Sequence, residues 1–411
     1  MKTLFTNIKE LLQIRDANTD VIKGLNMNYM PKIENAYLVV EHNLIHSYGK
    51  MDECPTDIEN ILDCSGKMIF PTWCDSHTHI VFAKSREEEF LMKIEGKSYE
   101  DIANAGGGIL NSARKIHETS EEELFQSASE RLHRLIKQGT GAIEIKSGYG
   151  LSTEAELKML RVIKRLNEAF PIPIKATFLG AHSYPQQYKN NHEAYIKLII
   201  DEMIPKIASE KLAEYIDVFC EDGFFSTIET DRILQAGIKN GLKPKIHANQ
   251  LNISGGVQVG VKNNAISVDH LECMDDEAIS NLKNSNTIAT LLPSCSFFLG
   301  IPFAPARALM ENNIPVALAS DYNPGSTPSG NMSFLFSLAC IKLKMRPNEA
   351  LNALTINGAH AMELEYKLGS ITKNKLANFI ITKEIPSLTY IPYSFGENCI
   401  ESVYINGNIY N

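Results

Sequence analysis

The chain alternates between short apolar runs and longer segments in which apolar residues recur at intervals of three and four. The short runs are typical of buried strands, and the longer segments are typical of amphipathic helices. Strands are therefore predicted at Met68–Asp75, Ala142–Lys146, Lys175–Leu179, Ile216–Cys220, Pro244–Ala248, Ile266–Asp269, Thr287–Leu292 and Val316–Ser320. Helices are predicted between them at Glu121–Lys137, Glu154–Glu168, His192–Ile204, Thr227–Lys239 and Pro305–Asn312.

These strand–helix units predict the architecture of most of the chain. Near-continuous apolar strands that alternate with helices indicate a parallel sheet with helices on both faces. Eight such units favour a closed (β/α)₈ barrel of the TIM type, and the span 68–354 is close to the ~250 residues typical of that fold. We therefore expect an α/β protein with its barrel at 68–354.

The two ends of the chain have a different pattern. Short segments of mixed apolar and polar residues surround Asn43, Gly369 and Asn406–Gly407, which are typical of turns between short strands. Residues 1–67 and 355–411 are accordingly predicted to form one small β-sandwich domain together.

The composition of the chain indicates which classes of molecule it is expected to bind and in which compartment. Of the 411 residues, 44% are hydrophobic and 22% are charged, which is typical of a globular protein, and the formal charge of −9 disfavours nucleic acid. We find no secretory signal and no apolar run of ~20 residues, so no membrane partner is expected. The eight cysteines are scattered without a Cys-x-x-Cys pair, which predicts reduced thiols in a cytoplasmic protein.

Polar residues with metal-binding chemistry end several predicted strands. His77 and His79 follow the first strand, and alternate residues of an extended chain point the same way. Later strands end with His182, His247, His270 and Asp321. In a barrel these carboxyl ends meet at one mouth, where active sites of the fold lie.

Several imidazoles with a carboxylate, and without cysteine, suit zinc or iron. A catalytic metal keeps one position open for water and lowers the pKa of that water to ~7. The set therefore predicts metal-assisted hydrolysis or deamination, although each histidine taken singly has an alternative structural role.

Two further residues are candidates for substrate binding. Arg86 lies shortly after the histidine pair, and its guanidinium suits a substrate carboxylate; the alternative is a salt bridge to one of Glu87–Glu89. Tyr149 lies between glycines after the second strand, where it either reaches a ligand or anchors the loop. The run Gly106–Gly108 lacks the spacing of a phosphate-binding motif and is predicted to be a flexible strand-to-helix loop.

The motifs DSHTH, FAKSREEEF, NAGGGI, IEIKSGYGLS, TFLGAH, SVDHL, LLPSCSFFL and ASDYNPGS, in this order, resemble the imidazolonepropionase family of the amidohydrolase superfamily. The resemblance runs from Asp75 to Ser326 and continues in the tail LGSITKNKLANFII. It implies a metal-bearing (β/α)₈ barrel with a terminal β-domain. It also implies hydrolysis of the ring of 4-imidazolone-5-propanoate to N-formimidoyl-L-glutamate in histidine degradation.

The resemblance also implies roles for individual residues. One ion per chain, zinc or iron (Fe²⁺ or Fe³⁺), would be held by His77, His79, His247 and Asp321. Positions that match contacts to the substrate or product are Arg86, Tyr149, His182, Asn323, Gly325 and Ser326. The substrate is a small molecule with a carboxylate, and a homodimer is expected as the commonest assembly.

One segment departs from the family pattern. Many members read His-x-Asp-Glu after the fifth strand and use the glutamate as general base, whereas this chain has Gln250 at that position. An amide does not take up a proton under these conditions, so Gln250 is expected to bind the ring, and proton transfer moves to Asp321 or His270. His182 is expected to stabilise charge on the ring oxygen. Two alternatives stay open: a deaminase of another small heterocycle, and a catalytically silent metal-binding or ligand-binding protein.

Overall fold

The structure is a computed structural model that describes residues 2–97 and 107–411. Of the predicted glycine loop, Gly106 lies outside the described residues. Gly107 and Gly108 lie directly before a helix that begins at Ile109.

Parallel strands form a barrel in the middle of the chain. Within the described residues the barrel strands are Trp73–Thr78, Thr140–Lys146, Ile174–Ala181, Tyr215–Cys220, Ile246–Ala248, Ser267–His270, Ile288–Leu291 and Val316–Leu318, with Lys243–Pro244 as a short addition. The last strand returns to the first, because the Asp321 N–H donates to the His77 carbonyl at 3.0 Å and the His79 N–H donates to the Tyr322 carbonyl at 2.9 Å. All residues of these strands except Lys175 and Lys243 are buried, which explains their apolar runs.

Helices cover the outside of the barrel. Their bounds are Glu87–Ile94, Ile109–Glu118, Glu121–Lys137, Thr153–Ala169, His192–Lys197, Ile204–Glu210, Thr227–Lys239, Gly256–Lys262, Asp276–Lys283, Pro293–Leu299, Ala306–Glu311, Met332–Ile341, Pro347–Leu354, Ile356–His360 and Tyr390–Tyr393. Ser120 and Ser226 each begin a helix with a capping box, so two predicted helices have the expected bounds. Among the described residues, no helix has the length and apolar character needed to cross a bilayer.

A small β-domain is built from both ends of the chain. Its sheet contains Lys2–Leu12, Lys32–Glu41, Leu44–Lys50, Asn60–Asp63, Met68–Pro71, Phe379–Thr382, Ile400–Ile405 and Asn408–Ile409. Phe5 packs edge-on against Phe379 and Tyr404 in its core, with ring centroids 5.2 and 5.1 Å away. The predicted barrel with a terminal β-domain is therefore confirmed.

The strand predicted at Met68–Asp75 was wrong in its bounds. Met68–Pro71 belongs to the terminal sheet, and the first barrel strand begins at Trp73. The change occurs at Thr72, whose N–H donates to Asn378, whereas the N–H of Trp73 donates to Gly139. Both sheets bury this segment, so its apolar pattern does not show where the pairing partner changes. The division of the chain into 1–67, 68–354 and 355–411 stays a prediction.

Candidate metal centre and active site

Two histidines, one in the first barrel strand and one directly after it, face the barrel interior together. The Nε2 atoms of His77 and His79 lie 3.3 Å apart. His77 Nδ1 donates to Asp269 Oδ2 at 2.7 Å, and His79 Nδ1 lies 3.4 Å from the carbonyl oxygen of Ser147. Each ring is therefore held through Nδ1, and each Nε2 is left free.

His247 and Asp321 complete this cluster from the fifth and eighth strands. His247 Nδ1 donates to Asp217 Oδ2 at 3.0 Å, and nitrogens of the three histidines all lie within 4.8 Å of one another. Asp321 Oδ1 lies 3.6 Å from Nε2 of both His77 and His79.

These distances fit a metal ion. Ligand atoms at about 2.0–2.1 Å from a tetrahedral zinc lie roughly 3.3 Å from one another. The distances between the two Nε2 atoms, 3.3 Å, and from each of them to Asp321 Oδ1, 3.6 Å, are close to this value. Histidine ligands of metals commonly donate their second ring N–H to a carboxylate or carbonyl, as these three rings do. Burial lowers the pKa of His77 and of His79 well below the ordinary value, and neighbouring cationic groups lower it further. Both rings are consequently neutral, which metal binding requires.

A buried network of charges lies beneath the histidines. Lys146 Nζ lies 2.8 Å from Glu144 Oε1, 2.7 Å from Asp217 Oδ2 and 3.3 Å from Asp269 Oδ2. Lys245 also pairs with Glu144. Burial alone would lower the pKa of Lys146, but the three carboxylates outweigh it and raise that pKa. Lys146 therefore stays charged and links the carboxylates that hold His77 and His247.

Sequence reasoning did not identify this network. The available signal was the presence of charged residues inside predicted buried strands, as in IEIK and PKIH. Such residues need partners within the barrel, because a buried charge is costly unless it is paired.

A cavity of about 340 Å³ opens above the cluster. It is lined by all the predicted site residues except His77, namely His79, Arg86, Tyr149, His182, His247, Gln250, His270, Asp321, Asn323, Gly325 and Ser326. Phe219, Phe224, Leu251 and Leu299 supply apolar walls. The cavity therefore combines apolar surface with a few convergent polar groups, as small-molecule sites do.

A larger open cavity of about 770 Å³ lies elsewhere, lined by Ile266, Thr287 and His360 among others. Ile266 and Thr287 come just before barrel strands, so this cavity lies at their amino ends. Since active sites of this fold lie at the carboxyl ends, we assign the candidate site to the smaller cavity.

Arg86 is held at the edge of the candidate site. Its Nε donates to Ser112 Oγ at 2.9 Å, and its guanidinium carbon lies 5.7 Å from the centre of the Tyr149 ring. Within the described residues, no ion pair joins Arg86 to Glu87, Glu88 or Glu89. Within this part of the chain, the salt-bridge alternative for Arg86 is therefore not supported.

Tyr149 and His182 form one wall of the cavity. Their ring centroids lie 5.5 Å apart, and His182 Nδ1 donates to the Gly148 carbonyl at 3.0 Å, which leaves Nε2 free. Burial raises the pKa of Tyr149 and lowers the pKa of His182 to about 3, so the hydroxyl keeps its proton and the imidazole is neutral. Glu156, which the sequence did not single out, accepts the N–H groups of Gly148, Gly150 and Leu151 and fixes this loop.

The loop after the eighth strand shapes the surroundings of Asp321. Asn323 Oδ1 accepts the N–H groups of Gly325 and Ser326, both at 2.8 Å. Ser326 Oγ donates to Asp321 Oδ2 at 3.2 Å. The carboxylate is therefore held on one oxygen, while its other oxygen faces the histidines.

Gln250 and His270 line the remaining side of the cavity. Gln250 Nε2 lies 3.4 Å from Cys295 Sγ, a buried thiol that sequence reasoning did not identify. Burial lowers the pKa of His270, but the carboxylates of Glu272, Asp321 and Asp269 outweigh burial and raise it. His270 is thus a titratable group with a raised pKa, whereas the amide of Gln250 does not take up a proton.

Comparisons with known proteins identify the family of the chain. The profile of the amidohydrolase family matches residues 68–410. A relative from Christiangramia forsetii, named imidazolonepropionase, is 57% identical over 410 residues and covers 100% of both chains. A relative of the same name from Clostridium tetani is 43% identical over 390 residues, which is 94% of this chain and 93% of the relative.

The chain belongs to the imidazolonepropionase family. Membership confirms the resemblance that the motifs carried, and with it the prediction of a hydrolase acting on a C–N bond of a cyclic amide in a small molecule. The amidohydrolase family is metal-dependent, in agreement with the histidine cluster. A solved triazine hydrolase variant shares the fold, with a TM-score of 0.75 at 13% identity over 99% of this chain and 94% of that chain. The roles of individual residues remain predictions.

Proposed function

We propose that this member of the imidazolonepropionase family hydrolyses 4-imidazolone-5-propanoate to N-formimidoyl-L-glutamate in histidine degradation. The observation that carries the proposal is the pairing of a histidine cluster at the floor of the cavity with the guanidinium of Arg86 at its edge. A substrate with a reactive ring and a carboxylate arm matches both features.

The proposed ligands of the metal are His77, His79, His247 and Asp321, with one ion per chain, zinc or iron. When bound, the ion lowers the pKa of a water and so supplies hydroxide at neutral pH. His77 and His247 are held in place by Asp269 and Asp217, so the chain presents Nε2 of each ring in a fixed direction.

The substrate is oriented by residues along the cavity walls. Arg86 binds the propionate, because a guanidinium donates two parallel hydrogen bonds to a carboxylate. The Tyr149 hydroxyl and the Gln250 amide hold the ring and its neighbouring atoms. We expect His182 to stabilise charge on the ring oxygen by donating from Nε2, which requires that nitrogen to gain a proton while Nδ1 keeps its hydrogen bond to the Gly148 carbonyl.

Hydrolysis adds a water oxygen to the ring carbonyl carbon and breaks the bond from that carbon to nitrogen. The attacking water loses a proton, and the leaving nitrogen takes one up. Asp321 and His270 flank the cluster and carry these protons, since Gln250 has no titratable group. Asn323, Gly325 and Ser326 keep Asp321 in position and border the carboxylate arm.

The test is an assay of freshly prepared 4-imidazolone-5-propanoate with metal analysis of the same sample. We expect turnover to N-formimidoyl-L-glutamate without release of ammonia. Ammonia release from a heterocycle without a carboxylate would instead support a deaminase. A metal-loaded chain that binds substrate without turnover would support a silent binding protein and contradict the proposal.

The ligand set has its own test. His247→Ala should leave a folded chain with strongly reduced zinc or iron content, because the ring lies at the barrel mouth rather than in the packed layers. His192→Ala, at a half-buried histidine on a helix outside the barrel, is the matched control and should keep its metal. Full metal occupancy in His247→Ala would remove this residue from the ligand set.

Assembly and location are part of the same proposal. We infer a homodimer, the commonest symmetric assembly, to be tested by light scattering during size-exclusion chromatography. A cytoplasmic location is supported by the eight cysteines, all of them free in the structure.

A further inference from the structure

Behind the His270 ring, two buried polar atoms face each other without a hydrogen-bond partner. His270 Nδ1 lies 3.6 Å from Glu272 Oε2, and neither atom has a partner elsewhere in the described part of the chain. The two residues are only 2% and 7% exposed. Because buried polar atoms are nearly always paired, two that face each other at this distance indicate a hydrogen bond completed by a small movement.

The carboxylate of Glu272 is anchored from its other side. Its Oε1 accepts a hydrogen bond from Ser296 Oγ at 2.9 Å, and Ser296 is itself buried. One carboxylate oxygen is thereby fixed, and the other is directed at the imidazole.

The backbone is strained at His270 itself and at the residue that follows it. His270 and Leu271 have φ values of 86° and 69°, in the left-handed region that residues with side chains rarely adopt. The turn is held by two hydrogen bonds, from Leu271 N–H to the Ala248 carbonyl at 3.2 Å and from Cys273 N–H to the Asn249 carbonyl at 2.8 Å. Strain at two consecutive residues that is fixed in this way is common where a side chain must be placed for function.

The pairing decides which nitrogen of His270 meets a ligand. With Nδ1 directed at Glu272, Nε2 is the nitrogen left for the cavity, which the ring lines. The ring centre lies 5.2 Å from that of His247 and 5.7 Å from that of His77, so Nε2 acts beside the candidate metal ligands.

We propose that Glu272 is a positioning residue that accepts the Nδ1–H of His270 and so presents Nε2 of that ring to the substrate. The proposal rests on the proposed function and extends it. Gln250, which also lines the cavity, has no carboxylate to offer. Glu272 supplies a carboxylate from behind the imidazole instead.

The kinetic test is Glu272→Gln, which keeps the shape of the side chain and removes its charge. We expect kcat to fall roughly 10–100-fold, as is typical when the orienting partner of a histidine is lost, with KM and metal content close to those of the wild type. Glu349→Gln is the matched control, since Glu349 is a buried carboxylate paired with Arg307 on a helix outside the barrel. It should lower the unfolding midpoint and leave kcat unchanged.

A double variant separates positioning from a general structural role. If Glu272 acts through His270, adding Glu272→Gln to His270→Asn should lower kcat little further. Unchanged kcat in Glu272→Gln, or multiplicative losses in the double variant, would overturn the proposal. Loss of a second bound ion in Glu272→Gln would also overturn it, in favour of a cation held by His270, Glu272 and Cys295.

A spectroscopic measurement gives an answer that does not depend on turnover. Nitrogen-15 NMR of the metal-loaded protein at alkaline pH, with His270 assigned through His270→Asn, should show the proton on Nδ1. Glu272→Ala should shift the ring toward a mixture of tautomers. A wild-type ring with its proton on Nε2 would refute the role of Glu272, whereas an inactive wild type with the proton on Nδ1 would refute only the proposed function.

Discussion

Lys146 Nζ lies 2.7 Å from Asp217 Oδ2 inside the barrel, and the same carboxylate oxygen accepts Nδ1–H of His247. The Asp217 carboxylate, on the fourth barrel strand, thus links Lys146 on the second strand to His247 on the fifth. A buried ammonium in this position keeps the acceptor of a candidate metal ligand ionised, because it balances the negative charge.

Replacing Lys146 should therefore disturb both stability and metal binding. Lys146→Met leaves Asp217 and Asp269 buried without their cation, and removal of one partner from such a network costs about 3–5 kcal/mol. We expect a loss of this size in urea unfolding, together with faster release of metal to a chelator. Lys164→Met, at an exposed position on a helix, should change stability by less than about 0.5 kcal/mol. Unchanged metal release in a folded Lys146→Met protein would contradict the link to His247.

The contrast between this network and the histidines shows how far the sequence alone could go. His182, His247 and Asp321 end apolar runs, so their convergence follows from the topology of a parallel barrel. Lys146 pairs with carboxylates 71 and 123 residues away. A pattern of local periodicity carries no information about which distant charges meet inside the barrel.

Local periodicity also could not show where the first barrel strand begins. Residues 68–75 are apolar because two different sheets bury them, and only the hydrogen bonds at Thr72 and Trp73 show the change of sheet. Glu272 was also not identified, since its interaction depends on positive φ values at His270 and Leu271 that no residue type there suggests.

Arg86 should contribute to substrate binding, and its guanidinium can be displaced from its place beside Gly325 to test this. Arg86→Ala should lower kcat/KM by about 2–5 kcal/mol if its pair with the propionate is desolvated. A Cβ at residue 325 would lie 2.4 Å from Arg86 Nη1, so Gly325→Ala should displace the guanidinium and raise KM. In an Arg86→Ala background the second substitution should have little effect, and the amide of the substrate should abolish the difference between wild type and Arg86→Ala. Equal kcat/KM for wild type and Arg86→Ala with the acid would return Arg86 to a structural role.

Lys375 predicts a pH dependence of stability at alkaline pH. Burial lowers its pKa to about 8, against the opposing effects of Cys74 and Glu365, and its ammonium donates to Ser370 Oγ at 2.7 Å. The unfolded chain therefore binds more protons than the folded chain between pH 8 and the ordinary lysine pKa of ~10.4, so this residue makes stability rise with pH in that window.

The measurement is urea unfolding at several pH values from 7.5 to 10 for wild type and Lys375→Met. We expect the free energy of unfolding of the wild type to gain about 1–2 kcal/mol relative to the variant across this range. The other lysines titrate in both proteins, so the difference isolates Lys375. Parallel curves would show that its pKa is not lowered in the folded state.

Gln250 is expected to bind the substrate ring without moving a proton. Gln250→Ala should weaken binding through lost hydrogen bonds worth about 0.5–1.5 kcal/mol each, with a smaller effect on kcat, whereas Gln126→Ala, at an exposed helix position, should have none. Gln250→Glu should remain active but should not be needed for activity. His270→Asn removes a titratable imidazole from the site and should lower kcat by ~10²-fold or more. If His270→Asn is unimpaired, proton transfer belongs to Asp321. A wild type that is inactive, and gains turnover only as Gln250→Glu, would instead identify a silent binding protein, because the missing carboxylate would then be the sole obstacle to catalysis.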